Sequence, residues 1–165
     1  MSLKVLIVMG SDSDFEKLLP AKQILAELGI QADMKVASAH RSPDRVLEIA
    51  RSARKDGYGV ILAGAGGAAH LAGVFAANTT LPVVAVPVTW GSLGGVDALL
   101  SSVQMPGGVP IASVGIDGGK NAGLYAAAIL SAADQTIADK LDAYRKAQEQ
   151  KVVEADARLQ AKLQG

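Results

Sequence analysis

The stretch that decides the fold class is Lys4-Val5-Leu6-Ile7-Val8-Met9, near the start of the chain. From Val5 to Met9 every side chain is apolar, and not only every second one, which is typical of a strand buried on both faces of a parallel sheet. Gly10-Ser11-Asp12-Ser13-Asp14 follows directly, and Ser13 with Glu16 fits a capping box, which predicts that a helix begins there. The stretch therefore predicts the first strand–helix unit of an α/β domain.

The rest of the chain repeats this alternation of strand and helix. Further strands are predicted at 31–37, 59–63, 82–88 and 110–116, and helices at 43–55, from 71 onward, at 96–105 and at 120–132. Pro20 predicts that the first helix breaks and restarts there before it closes at Gly29. Because consecutive parallel strands need right-handed helical crossovers, we expect a parallel sheet covered by helices on both faces.

The pattern changes at Asp134. Apolar residues such as Ile137, Leu141 and Tyr144 then recur at helical spacing among Lys, Glu, Gln and Arg. This predicts a long amphipathic helix at the end of the chain. We expect residues 1–133 to form one α/β domain, and residues 134–165 to form a helix that packs on that domain or reaches a neighbouring subunit.

Composition narrows the function classes. Lysine plus arginine number 16, as do aspartate plus glutamate, so the net charge gives no reason to expect nucleic acid or a membrane surface as a partner. The absence of cysteine excludes disulfides and thiolate chemistry. No apolar run approaches about 18 residues, and the N-terminus lacks the features of a signal peptide, so we expect a cytoplasmic protein.

The middle of the chain is poor in charge. Between positions 56 and 133 the only charged residues are Asp56, Asp97, Asp117 and Lys120. A free domain would expose more surface than four charges and scattered hydroxyls comfortably solvate. We therefore expect other copies of the chain to cover part of this region, although a central sheet with small-residue helices is the simpler alternative.

The stretch Ser38-Ala39-His40-Arg41-Ser42-Pro43 joins the second strand to the second helix. The backbone N–H groups and the dipole of a helix N-terminus favour an anion. Two hydroxyls and a guanidinium suit a phosphate, and the imidazole of His40 can move a proton near pH 7. Since ligands of parallel sheets bind beyond the carboxyl ends of the strands, this turn predicts a binding site on that edge.

Three other motifs allow more than one interpretation. Gly64-Ala65-Gly66-Gly67-Ala68-Ala69 matches a dinucleotide pattern only weakly, since it follows the third strand and no acidic residue ends the next one. Asp12 and Asp14 fit helix capping, a metal site or a phosphoacceptor pair; we favour Asp14 as a ligand for sugar hydroxyls. His70 alone is more typical of a packed loop histidine than of a catalytic one.

Four motifs taken together resemble one family. They are Gly10-Ser11-Asp12-Ser13-Asp14, Ser38-Ala39-His40-Arg41-Ser42-Pro43, Gly64-Ala65-Gly66-Gly67-Ala68-Ala69-His70-Leu71 and Val103-Gln104-Met105-Pro106-Gly107-Gly108-Val109-Pro110. In this order, and over nearly the whole chain, they resemble the 5-(carboxyamino)imidazole ribonucleotide mutases, the PurE-type proteins of purine (IMP) biosynthesis. The residues of the second and third motifs resemble those of the bacterial mutase class more than those of the animal-type carboxylases.

The resemblance implies a flavodoxin-like three-layer αβα sandwich, a homo-octamer and no metal or organic cofactor. It implies that a carboxylate moves from the exocyclic nitrogen of the ribonucleotide to ring carbon C4, through carbon dioxide held in a closed pocket. It makes His40 the general acid–base. Ser11, Asp14 and Arg41 would bind the ribonucleotide, and Ser38, Gly66 and His70 would line the pocket. The alternative is a non-catalytic nucleotide-binding or signalling module on the same fold.

Overall fold

The computed structural model describes residues 3–164, so Met1, Ser2 and Gly165, which the predicted domain boundaries include, lie outside it. Strands and helices alternate along the chain, as predicted. The strands are β1 (Lys4–Met9), β2 (Ala32–Val36), β3 (Tyr58–Gly66), β4 (Val83–Val88) and β5 (Ala112–Ser113). The helices are α1 (Phe15–Glu27), α2 (Pro43–Ser52), α3 (Leu71–Asn78), α4 (Val96–Val103), α5 (Gly119–Ser131) and α6 (Gln135–Leu163). Short 3₁₀ turns lie at Asp12–Asp14 and Gly91–Leu93.

The strands form one sheet in the order β2-β1-β3-β4-β5, and each neighbouring pair is parallel. This is the flavodoxin-like order of a doubly wound α/β domain. The chain moves outward from β1 to β2 and then returns to the other side of β1 to form β3. The reversal leaves a crevice at the carboxyl ends of β1 and β3, where ligands of such sheets bind.

Both faces of the sheet are buried. In β1, Val5, Ile7 and Met9 face a core that α1 and α5 complete. Leu6 and Val8 point the other way, into a second core completed by α2 and α3. Alternate residues of one apolar run therefore serve two cores, which explains why the run shows no polar positions.

The first layer is held together by close contact between α1 and α5. Gly123 of α5 lies against α1, where an added Cβ would come within 2.8 Å of the carbonyl oxygen of Ala21. Ala122, Ala126 and Ala127 of α5 are buried in the same layer. Small residues let the two helix backbones approach closely, so the alanine-rich composition of α5 reflects packing.

The prediction about Pro20 was wrong. The helix α1 runs through Pro20 without a break, and the discontinuity lies earlier, where the 3₁₀ turn at Asp12–Asp14 meets α1. Proline costs little here because the carbonyl that loses its donor belongs to Glu16, an exposed residue of the first turn. The predicted capping box is also absent, since Asp14 is the N-cap and makes no side-chain cap bond. Gly29 follows the helix with φ 74°, so the predicted closure is confirmed.

Two strands differ in length from their predictions. The strand β3 extends to Gly66, so the first glycines of the Gly-rich motif lie in the sheet and not in a turn. The strand β5 contains only two residues. In β4, Ala85 and Pro87 both accept hydrogen bonds from the β5 side, so the missing N–H of Pro87 also faces β5. The ladder between β4 and β5 therefore cannot continue.

The last helix, α6, has two unlike halves. Asp134 caps it by accepting hydrogen bonds from the backbone N–H groups of Thr136 (3.0 Å) and Ile137 (3.3 Å). Ile137 is buried, and Lys140 Nζ donates to the carbonyl of Leu28 at the end of α1 (2.9 Å). Every residue from 149 to 164 is exposed. The predicted long helix is confirmed, and its outer half leaves the domain.

Candidate active site

A cavity of about 410 Å³ lies at the carboxyl edge of the sheet, within the size range of small-molecule sites. It is lined by Gly10, Ser11, Ser13, Asp14, Ala39, His40, Arg41, Ala65, Gly66, Gly67, Ala68, His70, Leu71 and Trp90. These residues end or follow four adjacent strands, β2, β1, β3 and β4. The parallel sheet therefore brings together loops that are distant in sequence, and the cavity lies at the reversal point between β1 and β3.

Six of the seven predicted site residues line this cavity: Ser11, Asp14, His40, Arg41, Gly66 and His70. The exception is Ser38, which does not line it. The hydroxyl of Ser38 instead accepts hydrogen bonds from the backbone N–H of Arg41 (3.2 Å) and from Arg41 Nε (3.4 Å). The structure therefore places Ser38 behind the guanidinium, where it orients Arg41.

The turn before α2 is closed by its own side chains. Ser42 Oγ accepts from the backbone N–H of Ser38 (3.0 Å) and donates to the carbonyl of Ser38 (3.1 Å). Pro43 is the first residue of α2, where its fixed φ suits the helix and its missing N–H costs nothing. Because Ser42 is engaged within the turn, its hydroxyl fixes the path of the chain between β2 and α2.

Arg41 is anchored across the sheet. Its Nη2 donates to the carbonyl of Gly10, which follows β1 (2.9 Å). Together with the bond to Ser38, this uses two of the five N–H donors of the guanidinium. The side chain is exposed and lines the cavity, so its remaining donors are available to an anion.

His40 and His70 are in direct contact. His40 Nε2 and His70 Nδ1 lie 2.8 Å apart, and the two rings meet edge to face with 4.9 Å between their centroids. One of these nitrogens must donate and the other accept, so the pair shares one proton in this bond. Both side chains line the cavity. The resemblance placed both histidines at one pocket, but the sequence did not predict the bond between them.

Asp14 carries a perturbed carboxyl group. Burial raises its pKa above the usual value, and this outweighs the opposing effects of hydrogen bonds from Ser11 and Ser13 and the charge of Arg41. A cavity carboxyl group with a raised pKa can accept a hydrogen bond when ionised or donate one when protonated. Nearby, the hydroxyl of Ser11 accepts from the backbone N–H of Ser13 (3.4 Å).

Sequence reasoning missed Trp90, which forms the wall of the cavity beyond β4. The signal was present, because the predicted loop 89–95 follows a strand and parallel strands end at one edge. An added Cβ on Gly66 would lie 2.6 Å from Trp90 Cβ, so the glycine allows the tryptophan to sit against β3.

Two features are absent from residues 3–164: a cluster of metal-ligating side chains and a membrane-spanning helix. In that part of the chain no group of three or more His, Asp or Glu side chains is arranged to hold a metal ion. No helix there has the length and apolar composition needed to cross a bilayer.

Known proteins resemble the chain along most of its length. The model of the family "AIR carboxylase" matches residues 4–151. The N5-carboxyaminoimidazole ribonucleotide mutase of Bacillus subtilis is 55% identical over 155 residues, which cover 93% of this chain and 96% of that protein. The mutase of the same name from Thermotoga maritima is 49% identical over 95% of this chain and 92% of its own length.

Solved structures agree with this assignment. PurE of Treponema denticola superposes with a TM-score of 0.86 at 31% identity, covering 94% of this chain and 97% of that one. A PurE2 variant from the same organism gives a TM-score of 0.89 at 31% identity, over 96% of this chain and 99% of the other. The shared fold, the identity over nearly the full length and the family match lead to one conclusion: this chain belongs to the AIR carboxylase family.

Proposed function

We propose that this protein is an isomerase that converts N5-carboxyaminoimidazole ribonucleotide into the isomer with its carboxylate on ring carbon C4, a step of purine (IMP) biosynthesis. The observation that carries the proposal is the hydrogen-bonded pair of His40 and His70 in the same cavity as Arg41. Relatives that are 49–55% identical over more than nine-tenths of the chain are mutases of this reaction.

The cavity residues suit a ribonucleotide. Arg41 would bind the phosphate, because its guanidinium is oriented by Gly10 and Ser38 and keeps free donors. Ser11 would add a hydroxyl to the same ligand, and Asp14 would accept hydrogen bonds from the ribose. Gly66 would shape the pocket by letting Trp90 lie against the end of β3.

The reaction needs one proton to be given and one to be taken. The N–C bond of the carbamate breaks as the nitrogen receives a proton, and carbon dioxide leaves. Carbon C4 then forms a bond to carbon dioxide, and the proton on C4 departs to a base. His40 would perform both transfers, since an imidazole titrates near neutral pH. The bond to His70 would orient the ring for both transfers, so that the imidazole that gives a proton to the nitrogen recovers one from C4.

Retention of carbon dioxide is the second requirement. A released molecule that diffuses away cannot be recaptured at C4, so the ring must stay positioned while the cavity excludes water. The Gly-rich segment after β3 would close over the ring. The net change is redox-neutral, so it needs no electron-transfer group, and His40 would carry both proton transfers. We propose on this basis that the enzyme uses no metal or organic cofactor. Activity that survives prolonged dialysis against a chelator would support this, and activity restored only by added metal would contradict it.

An ultraviolet assay of the purified protein tests the function directly. The C4-carboxylated isomer would form from the N5-carboxylated one, with no nucleotide triphosphate or bicarbonate added. A non-catalytic nucleotide-binding or signalling module would bind the ribonucleotide without converting it. The relatives named above are enzymes and give that alternative no support. Binding without any isomerisation would overturn the proposed reaction.

We also propose a homo-octamer. Leu93, Val96, Leu100 and Val103 are exposed at helical spacing on and before α4. The outer half of α6 also exposes Val152, Val153, Leu159 and Leu163. Such apolar faces, in a chain whose middle carries few charges, fit contacts between copies of the chain. In this arrangement the outer half of α6 would reach a neighbouring subunit.

Native mass spectrometry tests the assembly. The expected mass is about eight times the 16.8 kDa of one chain. Leu100→Asp should lower that mass, while Lys22→Asp, which changes an exposed charge on α1 outside both apolar faces, serves as a polar control. A monomeric wild-type protein would contradict the octamer.

We propose that the protein is located in the cytoplasm. A ribonucleotide carries phosphate charge and does not cross a bilayer unaided, so the enzyme should share the compartment of its substrate. Fractionation of cells producing the full chain tests this, and recovery of the protein outside the cytoplasmic fraction would contradict it.

A further inference from the structure

Trp90 is the only tryptophan of the chain, and 67% of its surface is exposed. It lines the same cavity as His40 and Arg41. Apart from the two histidines, the other lining side chains are small, aliphatic or charged. A large aromatic ring left open on the wall of a cavity is placed to cover a flat apolar surface of a ligand.

The position of Trp90 is fixed by its neighbours. The Trp90 side chain rests against Gly66 and Gly67, and an added Cβ on Gly67 would lie 3.1 Å from the six-membered part of the indole. On the other side, Thr89 is bound twice by Asp117, through its backbone N–H (2.9 Å) and its hydroxyl (2.8 Å).

Asp117 also ties this loop to α1, the helix that follows the cavity residues Ser13 and Asp14. Its carboxylate also accepts from Lys17 Nζ of α1 at 2.6 Å. Partial burial acts to raise the pKa of Asp117, but the hydrogen bonds from Lys17 and Thr89 outweigh it and hold the pKa below its usual value. The anchor is therefore ionised at neutral pH, and the loop carrying Trp90 is held at a defined distance from α1.

We propose that the indole of Trp90 stacks on the planar ring of the bound ligand and makes the site selective for ring-bearing ribonucleotides over plain sugar phosphates. The identity of the ring as an aminoimidazole rests on the proposed function. Arg41 binds the phosphate end, and Trp90 recognises the other end. Trp90 is thus a specificity-determining contact and takes no part in proton transfer.

Fluorescence gives a direct test, because all tryptophan emission comes from this one residue. The wild-type protein is titrated with the C4-carboxylated aminoimidazole ribonucleotide and, separately, with ribose 5-phosphate. The ring-bearing ligand should change the emission saturably, with a midpoint equal to its KM or inhibition constant. Ribose 5-phosphate should bind without a comparable change. Saturation by the ring-bearing ligand with unchanged emission would overturn the proposal.

Variants separate stacking from other roles. Trp90→Ala should raise KM about tenfold while kcat changes by no more than about twofold, and Trp90→Phe should recover most of the loss. Ser92→Ala is the matched control, since Ser92 is exposed in the same loop, does not line the cavity and lies outside the apolar face proposed for the octamer. The preference of Trp90→Ala for the ribonucleotide over ribose 5-phosphate should also fall about tenfold. An unchanged preference would overturn the proposal.

Three further outcomes are informative. If Trp90→Ala changes the native mass and Ser92→Ala does not, the indole serves contact between copies and the proposal fails. If the wild-type protein shows the emission change but no isomerisation, the reaction proposed above fails while the role of Trp90 stands. If the protein isomerises its substrate but its emission never responds, the role of Trp90 fails while the reaction stands.

Discussion

The amino and carboxyl edges of the sheet each carry a cluster of polar side chains. The side chains of the first cluster bind one another, and those of the second face an open cavity. At the amino edge, Lys4 of β1, Asp33 of β2 and Tyr58 of β3 bind one another: Asp33 Oδ2 accepts from Lys4 Nζ (3.0 Å) and from the Tyr58 hydroxyl (2.8 Å). The ammonium of Lys4 also lies 4.5 Å from the centre of the Tyr58 ring. At the carboxyl edge, His40 and Arg41 keep donors directed at an open cavity. A closed network stabilises the fold, whereas an open one is available to a ligand.

The pKa values of the carboxyl groups at the two edges are also shifted in opposite directions. Hydrogen bonds from Tyr58 and then Lys4 lower the pKa of Asp33. Burial, followed by the neighbouring Asp33, raises the pKa of Tyr58 to about 12. At the other end, burial raises the pKa of Asp14. The closed cluster therefore favours its charged carboxylate, and the cavity disfavours its own, which is a common property of functional sites.

The largest expected effect is at the open end. His40→Asn should lower kcat by about 10²–10⁴-fold, because general acid–base assistance is worth that much and asparagine cannot exchange a proton. The thermal midpoint should stay within about 2 °C of the wild type, since the side chain lies on the cavity wall and not in the core. The ultraviolet assay and thermal unfolding measure the two quantities. Isomerisation by folded His40→Asn at the wild-type rate would remove the histidine from the mechanism.

The next effect concerns binding. Arg41→Ala should raise KM by about 10–100-fold, which corresponds to the loss of charge-assisted hydrogen bonds to phosphate. Arg45→Ala is the matched control, because Arg45 lies in the same turn region, binds the carbonyl of Val36 (3.0 Å) and does not line the cavity. Steady-state kinetics of both variants measure the difference. An equal KM for the two would contradict a phosphate role for Arg41.

At the closed end we expect loss of stability without loss of activity. Tyr58→Phe removes one donor from Asp33 and should lower the free energy of unfolding by about 1 kcal/mol. The kinetic constants should remain within about twofold of the wild type, because Tyr58 is at the far edge of the sheet from the cavity. Urea unfolding and the isomerase assay test both statements. A substantial fall in kcat would show that the two edges are coupled.

The smallest effect is the dependence of stability on acid. The pKa of Asp33 is lower in the folded state than the value of about 3.9 expected when unfolded, so its contribution to stability is complete above that value. It should be lost as the pH falls from about 5 through the folded pKa. Because Asp33 is partly exposed, the loss should not exceed about 1 kcal/mol. Asp33→Asn should flatten this part of the pH profile, and an unchanged slope would contradict the assignment.

The sequence predicted the fold best at positions where the residue pattern favours a single local structure. The apolar run of β1 predicted a strand buried on both faces, and Pro43 predicted the start of α2. The polar turns after successive parallel strands predicted a common edge. Each of these predictions depends on local pattern and on the known geometry of parallel sheets, and the fold follows from them.

The rest depends on contacts between distant residues. The bond between His40 and His70 requires the loops after β2 and β3 to bring the two rings within hydrogen-bond distance. The spacing of the two residues along the sequence does not predict this. The short β5 follows from the direction in which Pro87 faces, and the continuity of α1 follows from the exposure of Glu16. Trp90 was missed because its loop carries no polar motif, although its place after β4 identified the correct edge.

Asp117 joins two segments of the chain that lie next to the site. It has a left-handed backbone (φ 57°), which aspartate tolerates better than most residues, and from there a single carboxylate holds α1 through Lys17 and the β4 loop through Thr89. One carboxylate thus links the helix that follows Asp14 to the loop that carries Trp90, so the two cannot move apart without breaking its ion pair or its hydrogen bonds. Replacing Asp117 with alanine should therefore loosen the loop of Trp90 without removing any group that lines the cavity.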